Sequence, residues 1–327
     1  MGTGLKLLAA VSVLVVAGPA VASAAEVAPA AVCRVAELPG AVAGEEVYPA
    51  GTDDRGTFVG SGRSHFGDDE HGLLWRGGVT TDLGAFVPSA VNSGGVMVGS
   101  QFADGIRRAA VRSGGVTTFL AEPGEPGSGA TDIDARGDVS GYAWVGGLSR
   151  AVVWPAGART PRVLDGGPVS TMALKVDDFG FVLGSAGFAG DEVQTVYRLD
   201  GTVVRSFPVI GPGGHRASDL VGGVLIADRG GAEGDQLTFI DVVTGRERPL
   251  PDSTYAQGGV LAANGVVAAK NRSGFPARWK YGRQLQLPQL GNTYPLYPTA
   301  ISADGRQIAG VSTDNTRQIG TLWTCRN

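Results

Sequence analysis

The densest group of chemistry-bearing side chains is His65-Phe66-Gly67-Asp68-Asp69-Glu70-His71. Two imidazoles and three carboxylates this close offer the nitrogen and oxygen donors that divalent cations take. Their spacing matches no established metal motif, so the run reads as a solvated acidic loop, and no metal or other cofactor is expected. His65, Asp68, Asp69 and His71 stay candidates for touching a ligand. Two acid pairs, Asp191 with Glu192 and Glu233 with Asp235, have the residue types that cleave glycosidic bonds by acid–base chemistry. Arg272 adds a cation, and Tyr294 and Tyr297 add two aromatic faces suited to contact.

Other runs reduce to simpler roles. Asp132-Ile133-Asp134-Ala135-Arg136-Gly137-Asp138 has the start of a calcium loop. Arg136 stands where an oxygen ligand belongs and the later glutamate is missing, so turn chemistry explains it better. His215 follows Gly213-Gly214 and reads as polar loop surface. Asn271-Arg272-Ser273 is a glycosylation sequon, which matters only in a eukaryotic secretory pathway. The chain lacks a Gly-x-Ser-x-Gly elbow, a His-Glu-x-x-His helix and a phosphate-binding glycine loop.

The compartment is legible from the start of the chain. Lys6, the apolar run from Leu7 to Gly18, and Ala22-Ser23-Ala24 form the pattern of a cleaved export signal over residues 1–24. The run is too short to span a bilayer, so a free secreted chain with no membrane anchor is expected. Residues 25–31 would be a short spacer and 32–327 a single domain, a monomer. The formal charge is −4 with no basic run, which argues against nucleic acid.

A repeat must position the candidate residues. Gly makes up 53 of 327 residues, and turn glycines recur at 56, 95, 137, 180, 223, 265 and 305, spaced 39, 42, 43, 43, 42 and 40 apart. Each leads an apolar run such as Phe58-Val59 or Val224-Leu225-Ile226. A segment ending in a bulky residue follows in most units, at Trp75, Trp154, Tyr197, Trp279 and Trp323, and then a fourth segment such as Val116-Thr117-Thr118-Phe119. Four strands, a to d, in about 42 residues is the period of a β-propeller blade. The runs are apolar on successive residues, so both faces must be covered, as stacked blades would do. The expected fold is all-β: a seven-bladed β-propeller of four-stranded antiparallel blades.

The seventh unit stops after strand c at Trp323-Thr324-Cys325. The N-terminal segment Val32 to Gly40 resembles a strand d and should close that last blade, bringing Cys33 and Cys325 together as a disulfide. The bulky residues recur at one structural position and should pack between blades. In such a sheet the a–b and c–d turns share one end, and the b–c and d–a loops the other. The polar stretches Ser61–Glu70, Ser100–Arg108, Ser185–Gln194, Asp228–Gln236, Lys270–Phe275 and Ser312–Gln318 fall at the b–c position. A ligand, an unknown protein or glycan, is therefore expected on the b–c/d–a face, with Tyr294 and Tyr297 in a d–a loop of that face.

Ala130-Thr131-Asp132-Ile133-Asp134-Ala135-Arg136-Gly137-Asp138-Val139-Ser140-Gly141, with His71-Gly72-Leu73-Leu74-Trp75 and Thr81-Asp82-Leu83-Gly84, resembles the unit of exported bacterial HAF-repeat proteins. The name-giving His occurs in the first unit alone. The last unit, Ile301 to Gly310, also resembles the TolB-type propeller repeat. The resemblance implies a propeller and no catalytic residues. The sequence thus points to a secreted binding or interaction module, with a carbohydrate-active hydrolase or lyase using loop carboxylates as the alternative.

Overall fold

The computed structural model describes residues 32–326, apart from 65–68, 159, 165–166, 188–191, 210–213, 231–234 and 255–256. The expected export signal and spacer, together with His65, Asp68, Asp191 and Glu233, lie outside the described residues.

Among the described residues, glycine turns separate 28 strands. β1 (Val32–Leu38) comes first. Blade 1 is β2 (Glu46–Thr52), β3 (Thr57–Arg63), β4 (His71–Arg76) and β5 (Val79–Gly84). Blade 2 is β6 (Phe86–Val91), β7 (Met97–Ala103), β8 (Ile106–Ser113) and β9 (Val116–Phe119). Blade 3 is β10 (Ser128–Ile133), β11 (Val139–Val145), β12 (Leu148–Trp154) and β13 (Arg162–Val163). Blade 4 is β14 (Thr171–Val176), β15 (Phe181–Ala186), β16 (Val193–Arg198) and β17 (Val203–Pro208). Blade 5 is β18 (His215–Val221), β19 (Val224–Arg229), β20 (Gln236–Asp241) and β21 (Glu247–Thr254). Blade 6 is β22 (Gln257–Leu261), β23 (Val267–Lys270), β24 (Pro276–Lys280) and β25 (Arg283–Gln286). β26 (Tyr294–Ile301), β27 (Gln307–Thr313) and β28 (Gln318–Arg326) complete the count.

Six blades run in sequence order, and the seventh is β26–β27–β28–β1. β1 is antiparallel to β28 with Cys33 opposite Cys325, and the two form a disulfide. The first and last strands therefore share one sheet.

The core is divided. Among the described residues, seven apolar clusters each join one blade to the next. This is why the b strands are apolar on successive residues: Met97 packs toward blade 1 and Val98 toward blade 3. Trp75, Trp154, Tyr197, Trp279 and Trp323 are all buried in these clusters. The indole N–H of Trp75, Trp154 and Trp323 donates to the carbonyl of Pro39, Ala121 and Pro288 respectively, at 2.7–2.8 Å. Each bond ties strand c to the segment that ends the preceding blade.

The a–b turns of blades 1 to 4 are Asx turns. Asp53, Asn92, Asp134 and Asp177 each accept two backbone N–H bonds, from the residues two and four positions on. In the calcium-like loop Arg136 bridges Asp134 and Asp138, both at 2.9 Å, so the turn reading holds.

Two expectations are corrected. Tyr294 and Tyr297 lie on strand β26, not in a d–a loop, because pairing of Tyr294 with Thr313 extends the sheet. His215 is buried as the first residue of β18, against Phe207 and 3.3 Å from Glu247. The b–c connections also differ in kind. Ser100–Arg108 is a hairpin with only Asp104 and Gly105 between strands, whereas Ser61–Glu70 is a long connection.

Candidate functional site

Strand a of every blade is interrupted by a β-bulge near its end. A bulge re-aims the next side chain, here at the positions of Gly51, Ala90, Asp132, Lys175, Asp219, Val260 and Ala300. These residues line a cavity of about 540 Å³ along with the a–b turns of all seven blades. Four of the seven positions are small or apolar and leave the space open. The three charged ones sit on adjacent blades 3, 4 and 5.

Lys175 Nζ is 3.6 Å from Asp219 Oδ1. The fields of Asp219 and then Asp132 raise the Lys175 pKa, so the amine stays charged and is no nucleophile at neutral pH. Asp132 Oδ2 accepts the Val176 N–H of blade 4, and Asp219 Oδ2 accepts the Leu261 N–H of blade 6. Burial outweighs the Lys175 charge and this bond at Asp132, whose carboxyl is pushed up to about 6.

The rim is built the same way. Asp54 accepts the Ala303 N–H across the ring closure, and Asp178 accepts the Ala135 N–H of the preceding blade. Asp177 Oδ2 takes the Gly223 N–H of blade 5. Each acid clamps two blades, and each also faces the cavity.

One turn departs from the rest. Blade 5 joins Val221 to Val224 through Gly222-Gly223 alone, both at positive φ, where the other six blades interpose five or six residues. The wall is lower there, and the cavity runs outward over Val224, Phe239 and Arg248. The Arg248 guanidinium lies 4.3 Å from the Phe239 ring centroid. Phe179 flanks the opening, 66% exposed.

Among the described residues, none of the candidates for touching a ligand lines this cavity, whereas Asp132 and Asp134 of the calcium-like run do. His71 starts β4, its Nε2 3.1 Å from buried Glu45. Asp69 accepts the Ser64 hydroxyl, which lowers its pKa. Glu192 accepts from Ser185 at 2.9 Å and Arg216 at 3.2 Å. Asp235 directly precedes β20, and Arg272 lies in the turn between β23 and β24. Tyr294 and Tyr297 are partly exposed near the start of β26, and Tyr294 packs on Phe275 with ring centroids 5.3 Å apart. The structure thus distributes these residues over several blades at the b–c/d–a end. Among the described residues, no group of three or more His, Cys, Asp or Glu is placed to hold a metal ion. The sequence reading missed Lys175, Asp219, Phe179 and Arg248. Alignment of the seven a strands holds a signal for two of them, since only blades 3 to 5 carry charge in a column otherwise Gly, Ala or Val.

No protein-family model matches the chain, and no curated protein matches it. Solved structures do. The chain is similar to an oligogalacturonate lyase solved in complex with manganese, at 14% identity over 92% of each chain with a TM-score of 0.60. It is similar to the WD40 β-propeller domain of Doa1, at 15% identity over 86% of this chain and 93% of that one, TM-score 0.54. It also resembles a puromycin hydrolase, at 16% identity and TM-score 0.58, spanning 81% of this chain and 50% of that one. The chain thus spans about half the length of that hydrolase. At such identities the likeness speaks to architecture, and it agrees with the sheet order and the ring closure: the protein is a seven-bladed β-propeller whose N-terminal strand completes its last blade.

Proposed function

We propose that the protein is an exported binding module whose ligand sits in the axial cavity at the a–b end. The observation that carries this is the cavity itself, walled by every blade, with its polar groups already fixed by bonds between blades. Such a pocket loses little conformational freedom on binding. Export is supported by the signal-like start of the sequence and by a disulfide that oxidising compartments sustain.

The test is screening of peptide and glycan arrays with three proteins. One is wild type. The second, Ala135→Trp/Ala263→Trp, places indoles over the mouth. The third, Asp69→Ala/Glu192→Ala, alters the opposite end. Binding that the mouth variant loses and the loop variant keeps is the expected result. Binding lost only in the loop variant would move the site to the b–c/d–a face.

A second reading is a carbohydrate-active hydrolase or lyase. Its support is Asp132, a carboxyl that burial pushes up to about 6, beside the charged Lys175. A similar structure is an oligogalacturonate lyase. Incubation with oligogalacturonate should then release products that Asp132→Asn abolishes. Loss on Glu192→Ala instead would assign the chemistry to the loop carboxylates.

A further inference from the structure

The cavity has two electrical poles and an apolar passage between them. At the axial pole, Asp54, Asp177 and Asp178 accept N–H bonds but have no cation within ion-pair distance among the described residues. The positive charge of Lys175 is taken up by Asp219 and Asp132, and Asp134 is matched by Arg136. The axial pole is therefore negative. Burial raises the Asp54 carboxyl pKa, and the fields of Asp53, Asp304 and Asp178 add to that. Acids across the mouth thus oppose one another's ionisation.

At the outer pole, exposed Arg248 has no carboxylate partner among the described residues and is held over Phe239. The passage between the poles is the notch left by the short Gly222-Gly223 turn, with Val221, Val224 and Phe179 along it. Phe179 occupies a turn position that is Arg55, Arg136, Asn264 or Asp304 in other blades. An exposed phenyl ring there adds nothing to its own turn, which Asp177 already closes.

We propose that this cleft binds a short peptide with free ends, its ammonium group toward the axial carboxylates, its chain over Phe179 and its carboxylate on Arg248. This rests on the axial cavity being the ligand site. A dipolar chain matches both poles at once, whereas a neutral glycan matches neither and a polycation meets Arg248. A cavity of about 540 Å³ suits a ligand of a few residues.

The experiment is calorimetric titration of the whole protein with Ala-Leu-Ala, its N-acetyl form and its C-terminal amide. Each capped form should bind about tenfold more weakly or worse, the loss of one charge-assisted contact. Arg248→Ala should bind the free and amidated peptides equally while still rejecting the acetylated one. Phe179→Ala should weaken all three together, and both exposed substitutions should leave the melting temperature unchanged. Capped and free peptides binding equally to wild type, or no binding of any of the three, would overturn the proposal. If the array ligand still depends on the open mouth, that failure leaves the cavity as the ligand site. Peptide binding that survives Ala135→Trp/Ala263→Trp would remove both readings.

Discussion

Asp228 shows what burial does to one carboxylate in this ring. It lies on β19, its two oxygens each 3.3 Å from the Gly258 N–H. Desolvation outweighs that bond and, helped by the field of Asp235, pushes its pKa from 3.8 to about 6. Between those values the folded protein holds a proton that the unfolded chain has released. Stability therefore falls as pH rises through this window, and the loss is complete above about pH 6. Asp132 acts in the same direction. Asp228→Asn should stabilise the protein above about pH 6 by about 1 kcal/mol, a figure reduced for the water that reaches the site. The gain should vanish below about pH 4, and urea unfolding across that range is the measurement. The sequence shows Asp132 as one acid in a turn-like run. It does not show that a bulge after Ala130 turns that side chain into the cavity, because one extra residue reverses which face a side chain takes.

At the scale of strands, the bulge also explains the second glycine of the unit in blades 1, 2 and 3. A Cβ on Gly99 would stand 2.0 Å from the Val87 carbonyl oxygen, and one on Gly60 2.1 Å from that of Tyr48. The bulged a strand presses its backbone against strand b there, and no side chain fits between. Gly99→Ala should cost about 1–3 kcal/mol by forcing the strands apart, read as a lower urea midpoint. Gly114→Ala, in a c–d turn with open space around it, is the control for glycine removal at positive φ. It should cost about 1 kcal/mol from backbone strain alone. Turn glycines and apolar runs are local, so strands and blades could be counted from the sequence. The three-residue deficit in the blade 5 turn was also present there. Its consequence, an open notch, was not, since a notch exists only relative to the taller turns of blades 4 and 6.

The whole ring depends on its seam. The disulfide spans 292 residues, and closing so long a loop is worth about 5–6 kcal/mol in the chain-entropy model. Seven blade interfaces share the core, so opening one seam exposes the cluster that holds Cys33, Val35 and Trp323. The Cys33→Ser/Cys325→Ser variant should melt about 8–10 °C lower by calorimetry. An unchanged melting temperature would mean that β1 holds the last blade by pairing alone.

The period, the seven blades, the shared last sheet and the pairing of Cys33 with Cys325 were determined by the sequence itself, because turns and strand patterns act over a few residues and repeat. Which mouth of the ring holds the cavity was decided only in three dimensions. Asp132, Lys175 and Asp219 stand some forty residues apart along the chain, and they meet because bulges aim them inward and blade packing sets them side by side. No local pattern encodes that meeting, which arises from the closure of the ring.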